Sequence, residues 1–245
     1  MTKTKTNIIE IEGLEKTYGV LNVLKNLNLS IEHGEFVALL GPNGSGKSTL
    51  LRMLTGISRP TNGMVSVGGW KLPKEVAAVR SQIGMVSHKS LLYDNLTARE
   101  NLIFFARLYN IPSHEIDKRI IDILKQVGLY KRMYDLVRTF SRGMQQRLSI
   151  ARALLHKPHI LLFDEPYTGL DQVAAGILDE MLLETHEAGH TIIMTTHQLE
   201  RAARLASRVI IISHGRVGYD VPAAELDEAK LREDYSEITG AVTAR

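Results

Sequence analysis

Four stretches of the chain have almost purely apolar centres: Phe36-Val37-Ala38-Leu39-Leu40, Ile160-Leu161-Leu162-Phe163, Thr191–Thr196 and Arg208–Ser213. Short unbroken runs of this kind predict strands of a parallel sheet covered on both faces. Ile8–Leu14 and Val23–Ile31 alternate or cluster their apolar residues as strands do, with a turn at Tyr18-Gly19, and Met64–Val67 and Ile83–Ser87 read as further short strands. The period changes after residue 88. Thr97-Ala98-Arg99-Glu100 is a capping box, and Leu102, Phe105, Ala106 and Tyr109 follow at helical spacing. Pro112-Ser113 breaks that helix, and Ile116, Ile120, Ile123, Leu124 and Val127 form a second stripe that ends at Gly128. Neither helix alternates with a strand, so the pattern predicts an all-helical lobe inserted into an α/β domain. Met144, Leu148, Ala151 and Leu155 mark the inner face of another helix, 172–187 reads as helical, and His214-Gly215 is a hairpin turn. The polar stretch from Glu225 to Arg245 predicts a solvated surface helix with a frayed end.

Composition narrows the class without naming a function. The chain has 245 residues, a length that holds one large domain or a domain with an inserted lobe, and at 44% hydrophobic and 23% charged it reads as globular. A net charge of +3 does not demand a nucleic-acid partner. Zero cysteines exclude a disulfide framework, a thiol nucleophile and a cysteine zinc site. No apolar run approaches the roughly 18–20 residues of a spanning helix. MTKTKTNIIEIEG lacks the apolar centre of a secretory signal, so a cytosolic location is expected, with a membrane protein free to hold the chain at the surface.

The chemistry concentrates where the first apolar run stops. Gly41-Pro42-Asn43-Gly44-Ser45-Gly46-Lys47-Ser48-Thr49 fits the phosphate-binding loop pattern between a strand and a helix. Its glycines let successive backbone N–H groups turn inward around an anion, and the following helix aims its positive end at the same point. Lys47 is placed to reach β- and γ-phosphates, and the Ser48 hydroxyl to ligate Mg²⁺. Ligands of parallel sheets sit beyond the carboxyl ends of the strands. Asp164, Glu165 and His197 occupy two more such ends. Asp164 suits Mg²⁺, Glu165 suits polarising an attacking water, and His197 suits contact with that water or the γ-phosphate. Tyr18, on an antiparallel flap, is a candidate to stack on a base.

The order of these parts resembles that of the ATP-binding subunits of ABC transporters, over about residues 8 to 220. Phe140-Ser141-Arg142-Gly143-Met144-Gln145-Gln146-Arg147 matches the LSGGQ signature of that family in altered form, Tyr167–Asp171 its D-loop, and Thr196-His197 its switch histidine. The resemblance implies a P-loop NTPase fold of ABC type. In that fold a RecA-like, mainly parallel core (1–87 and 156–220) carries an antiparallel β subdomain and an inserted helical subdomain (88–155), followed by a tail (221–245). It implies an ATPase using ATP and Mg²⁺, paired head to tail as a homodimer. In that pair Ser141, Gly143 and Asp171 of one copy serve the ATP held by the glycine loop of the other. Integral membrane permease subunits would bind the cargo, with this chain held peripherally on the cytoplasmic face of the inner membrane.

Two departures accompany the match. Arg142 and Met144 replace the first Gly and the Gln of the signature, while Ser141 and Gly143 remain. His88 stands at the Q-loop position, where most members carry Gln; the expectation is that it replaces Gln as the water and coupling contact. Stretches such as LLYDNLTARENLIFFARLY and VRTFSRGMQQRLSIARALLHKP look most like the haem exporter ATPase of cytochrome c maturation (CcmA type), which implies haem as cargo. Two alternatives are an ATPase of another ABC-2-type exporter, of a drug, lipid or polysaccharide, and a soluble ABC ATPase outside transport. A nucleic-acid ABC protein is disfavoured by the lack of tandem ATPase domains or a long coiled coil, and a GTPase by the lack of an Asn-Lys-x-Asp guanine reader.

Overall fold

The computed structural model describes residues 6–87, 90–225 and 228–240. In chain order, β1 (Asn7–Tyr18) and β2 (Leu21–Glu32) form a hairpin; β3 (Phe36–Leu40) leads through the glycine loop into α1 (Lys47–Leu54). β4 (Asn62–Val67), β5 (Trp70–Leu72), α2 (Val76–Gln82) and β6 (Ile83–Val86) follow. Three helices then come without an intervening strand: α3 (Ala98–Leu108), α4 (Ser113–Gln126) and α5 (Arg142–Leu154). The α/β alternation resumes with β7 (Ile160–Asp164), α6 (Gln172–Glu187), β8 (Thr191–Thr195), α7 (Leu199–Leu205) and β9 (Arg208–Ser213). β10 (Arg216–Pro222) and α8 (Glu228–Thr239) complete it.

The expected mainly parallel sheet is present, in the order β10-β9-β3-β8-β7-β6, with only β10 running antiparallel at one edge. A separate antiparallel sheet has the order β2-β1-β4-β5. Period-two alternation divides the core between the faces of the parallel sheet. Val37 and Leu39 pack with α1 and the antiparallel sheet, whereas Phe36, Ala38 and Leu40 pack with the helices on the other side. Both faces are covered, which is why every residue of β3 is buried and why the run reads as continuously apolar.

The Thr97 capping box forms in full. The Glu100 amide donates to Thr97 Oγ1 at 3.1 Å, and the Thr97 amide and hydroxyl each donate to Glu100 Oε2 at 2.8 Å; the latter two bonds hold the Glu100 carboxyl below its ordinary range. α5 is fastened to β6 along one stripe of side chains. Ser149 Oγ donates to Ser90 O at 3.1 Å, Arg152 Nη2 to Met85 O at 2.8 Å, and His156 Nε2 to Ile83 O at 3.1 Å. His156 also stacks on Tyr109 at 4.1 Å, and burial pushes its pKa down.

The expected frayed end of the tail, 241–245, lies outside the described residues, and the rest departs from expectation in part. α8 is a surface helix with most of its charged residues exposed, as expected, but it also packs on α7 and β9, buries Leu231 completely, and receives a bond from Ser213 Oγ to Ile238 O at 3.1 Å. Its apolar residues Leu231, Tyr235 and Ile238 recur at helical spacing and all reach the core, although acidic and basic neighbours surround them. No described helix is long and apolar enough to cross a membrane.

Candidate active site

Adjacent strands deliver the predicted residues to one edge of the sheet. β8 and β9 flank β3, and β7 lies beyond β8, so the glycine loop, Asp164 and His197 emerge side by side. A cleft of about 570 Å³ is lined by Gly41, Pro42, Asn43, Ser48, Asp164, Glu165, Thr168, His197 and Tyr235.

Close packing sets the loop. Gly41 has φ +146°, and a Cβ there would lie 2.1 Å from Ile212 O on β9. Gly46 has φ +110°, and a Cβ there would lie 2.5 Å from the Leu24 side chain of β2. Both positions therefore exclude any side chain. α1 starts immediately after Gly46 with no side chain capping it, so its first N–H groups are left for an anion. Ser45 Oγ is buried in the loop without a hydrogen-bond partner among the described residues. Thr49 is the third residue of α1, and Leu50, Leu51, Met53 and Leu54 after it are buried and anchor the helix.

Lys47 is 7% exposed and folds back on its own loop, donating to Gly41 O at 2.7 Å and Pro42 O at 3.1 Å. Burial lowers its pKa, and the charges of Glu165 and Asp164 work against that shift. Ser48 Oγ donates to Asp164 Oδ1 at 2.9 Å, joining residues 116 positions apart. Thr195 Oγ1 donates to the same oxygen at 2.9 Å. Glu165 sits in the left-handed region at φ +51°, a conformation that costs a non-glycine residue roughly 1–3 kcal/mol and needs outside support. That support is Thr195, whose carbonyl and hydroxyl oxygens both accept the Glu165 amide, at 3.2 and 3.0 Å. The Glu165 carboxylate then receives His197 Nδ1 at 2.9 Å. A carboxylate steered by an imidazole at the end of an anion cradle has the parts of a general base for water.

Not every candidate joins this group. Tyr18 ends β1, is 47% exposed, bonds Ser58 Oγ at 3.2 Å and carries the Lys16 ammonium 4.7 Å over its ring; it does not line the cleft. Ser141 and Gly143 also lie outside it. Ser141 caps α5 by accepting the Met144 amide at 3.3 Å, and Gly143 meets α6 so closely that a Cβ would come within 2.8 Å of Ala174 Cβ. Asp171 caps α6, accepting the Ala174 amide at 2.8 Å. Tyr167, four residues earlier, is pinned through its hydroxyl to Asp179 at 2.6 Å, and burial with that bond pushes its pKa up. His88 lies outside the described residues.

Three residues of the site escape the sequence reading. Thr195 closes an apolar run, where a threonine reads as an ordinary strand end. Thr168 falls inside the stretch matched to the D-loop, and Tyr235 sits in the stretch expected to be solvated.

The profile of the ABC transporter family matches residues 24–168. A linearmycin resistance ATP-binding protein of Bacillus subtilis is 38% identical over 210 residues, 86% of this chain and 68% of that one. A Nod factor export ATP-binding protein I of Cupriavidus metallidurans is 36% identical over 235 residues, 96% of this chain and 78% of that one. Among solved structures, the dimeric post-hydrolysis state of the ATP-binding cassette MJ0796 bound to ADP and Pi superposes with a TM-score of 0.79 at 32% identity, covering 88% of this chain and 98% of that one. None of these three is named as a haem exporter.

Proposed function

This chain belongs to the ABC transporter family and has its ATPase fold, and from that premise we propose that it is the ATP-hydrolysing subunit of an exporter. The observation that carries the reading is the joining of three strand ends: Ser48 bonded to Asp164, and Glu165 bonded to His197, beside one glycine cradle. In the reading, the 41–49 backbone holds the phosphates of ATP, Lys47 swings from the Gly41 and Pro42 carbonyls to the β- and γ-phosphates, and Tyr18 faces the base. Glu165 takes the proton of the attacking water, with His197 fixing its carboxylate. Ser48 and Asp164 offer oxygens 2.9 Å apart, the hard donors that suit Mg²⁺. They would hold the ion, which when bound neutralises phosphate charge. Among the described residues no group of three or more His, Cys, Asp or Glu is arranged to hold a metal ion by itself, so in this reading substrate phosphates and water complete the coordination.

None of the residues lining the cleft comes from the 141–147 segment, which supports a site completed by a second copy. We read the pairing as head to tail, the helical lobe (88–155) carrying Ser141 and Gly143, with Asp171, to the partner's ATP. The pair sits on the cytoplasmic face of the membrane, where integral permease subunits convert its closure and opening into transport. The relatives favour an ABC-2-type exporter over haem export: one is named for resistance to linearmycin and another for export of Nod factor. Two such different names support a cargo chosen by the membrane subunits.

The test is Glu165→Gln. With Mg-ATP it keeps the cradle and loses the base, so turnover falls by roughly a hundredfold or more and an ATP-bound dimer accumulates on size exclusion. A variant that stays monomeric at saturating Mg-ATP, or that hydrolyses like the wild type, overturns the reading.

A further inference from the structure

The element hidden by its charge pattern is α8. Three contacts besides Leu231 hold it in place. Ser213 bonds Ile238 O, Ile238 also packs under Gly218, where a Cβ would come within 2.8 Å of its Cγ2, and the Tyr219 phenol lies beside the Asp234 carboxylate. Burial first, and the neighbouring Asp234 carboxylate second, push the Tyr219 pKa up to about 12. These anchors lie on both sides of Tyr235, and they leave its side chain in the wall of the cleft with Gly41, Ser48, Glu165 and His197. Burial first, and the charge of Glu165 second, raise the Tyr235 pKa, so the hydroxyl keeps its proton and is available as a donor.

Across the cleft, Glu165 uses Oε2 for His197. Neither Glu165 Oε1 nor the Tyr235 hydroxyl has a hydrogen-bond partner among the described residues. A carboxylate oxygen and a phenol that share one cleft without partners are costly once water is excluded, and a nucleotide filling the cleft excludes it.

We propose that Tyr235 is a positioning residue for ATP hydrolysis: in the nucleotide-bound state its hydroxyl donates to Glu165 Oε1, clamping the carboxylate between α8 and His197. The inference rests on Glu165 being the base. The tail helix thereby belongs to the hydrolytic site of its own copy. With one oxygen held by an imidazole and the other by a phenol, the carboxylate plane is set and its remaining lone pairs point to the water.

The experiment measures steady-state Mg-ATP hydrolysis and thermal unfolding of the full chain for Tyr235→Phe and Tyr235→Ala, each alone and combined with Glu165→Gln. Tyr235→Phe keeps the ring and loses only the donor. It is expected to lower kcat by about tenfold, the order lost with a hydrogen bond to a charged group, at wild-type KM for ATP and wild-type Tm. Tyr235→Ala loses at least as much in kcat. In the Glu165→Gln background Tyr235→Phe causes no further loss, because the group it acts through is gone. Wild-type kcat in Tyr235→Phe overturns the inference while leaving the ATPase reading intact. So does a loss confined to KM and Tm, or one that repeats undiminished beside Glu165→Gln. A wild-type chain that binds Mg-ATP without turnover overturns the assignment of Glu165, and this inference with it.

Discussion

His197 Nδ1 lies 2.9 Å from Glu165 Oε2, so the residues that follow two adjacent strands, β8 and β7, form one hydrogen-bonded pair. The pair depends on a backbone that few residues tolerate. Glu165 at φ +51° points its carboxylate back toward His197 only because Thr195, two positions before the histidine, accepts the Glu165 amide twice. One strand end thus supplies both the support for the strained residue and the partner for its side chain.

Replacing His197 with Ala removes the partner but not the carboxylate. Turnover is expected to fall by roughly tenfold to a hundredfold, while Mg-ATP affinity measured with a fluorescent analogue stays within about twofold. A parallel loss of affinity would mean that the imidazole holds nucleotide rather than Glu165.

In the proposed role of phosphate contact, Lys47 should set an alkaline limit on binding. Its pKa in the nucleotide-free protein lies below the ordinary 10.5 because it is buried, so it loses its charge at lower pH than a free lysine. Mg-ATP affinity should decline as pH rises through that lowered value, and Lys47→Met should bind more weakly by about tenfold or more without that decline. The sign for folding is opposite: below 10.5 the unfolded chain holds this proton more tightly, so the lysine's contribution to stability rises with pH across the window. Titration calorimetry over the alkaline range reads the first effect directly.

Head-to-tail pairing makes a sharper forecast. Ser141→Ala and Lys47→Met should each abolish hydrolysis as homodimers, because each spoils both sites. Mixed, they form heterodimers in which one site joins an intact glycine loop to an intact Ser141, and activity should return. Ser141→Ala also loses a helix cap, worth about 1 kcal/mol, so its Tm is recorded alongside. A mixture no more active than its components would sink the composite site.

His156 and His190 are both held below 6.5 chiefly by burial. Between 6.5 and their lowered values the unfolded chain binds the extra protons, so stability falls as pH drops through that window. His156→Phe keeps a ring against Tyr109 and removes one titrating group. Its Tm should therefore decline less than the wild type's between neutral pH and about pH 5, a comparison that calorimetry makes.

Much of this was readable in the chain, and the gaps have physical causes. β3, β7 and β8 announce themselves because a strand covered on both faces needs nearly every residue apolar. The Thr97 capping box is a local signal and forms as read. β5 and α2 were not legible: one buried residue each, Leu72 and Val79, leaves no period to detect. The order of strands rests on pairings between distant residues, such as Leu39 with Ile210, that no local pattern encodes. The docking of α8 escaped because Leu231, Tyr235 and Ile238 are separated by charged neighbours, and only the surface they meet turns that stripe into a core. Glu165's backbone is likewise a product of its surroundings, since nothing in Asp164-Glu165-Pro166 dictates a positive φ.

The stripe of Ser149, Arg152 and His156 gives the helical lobe a mechanical character. Because these side chains bond the main-chain carbonyls of Ser90, Met85 and Ile83, a slide of α5 along β6 would break all three bonds. Those bonds couple the helix that Ser141 caps to the strand that ends at Val86, as a key couples a lever to its shaft. A thrust arriving at the segment after Val86 travels the same road in reverse.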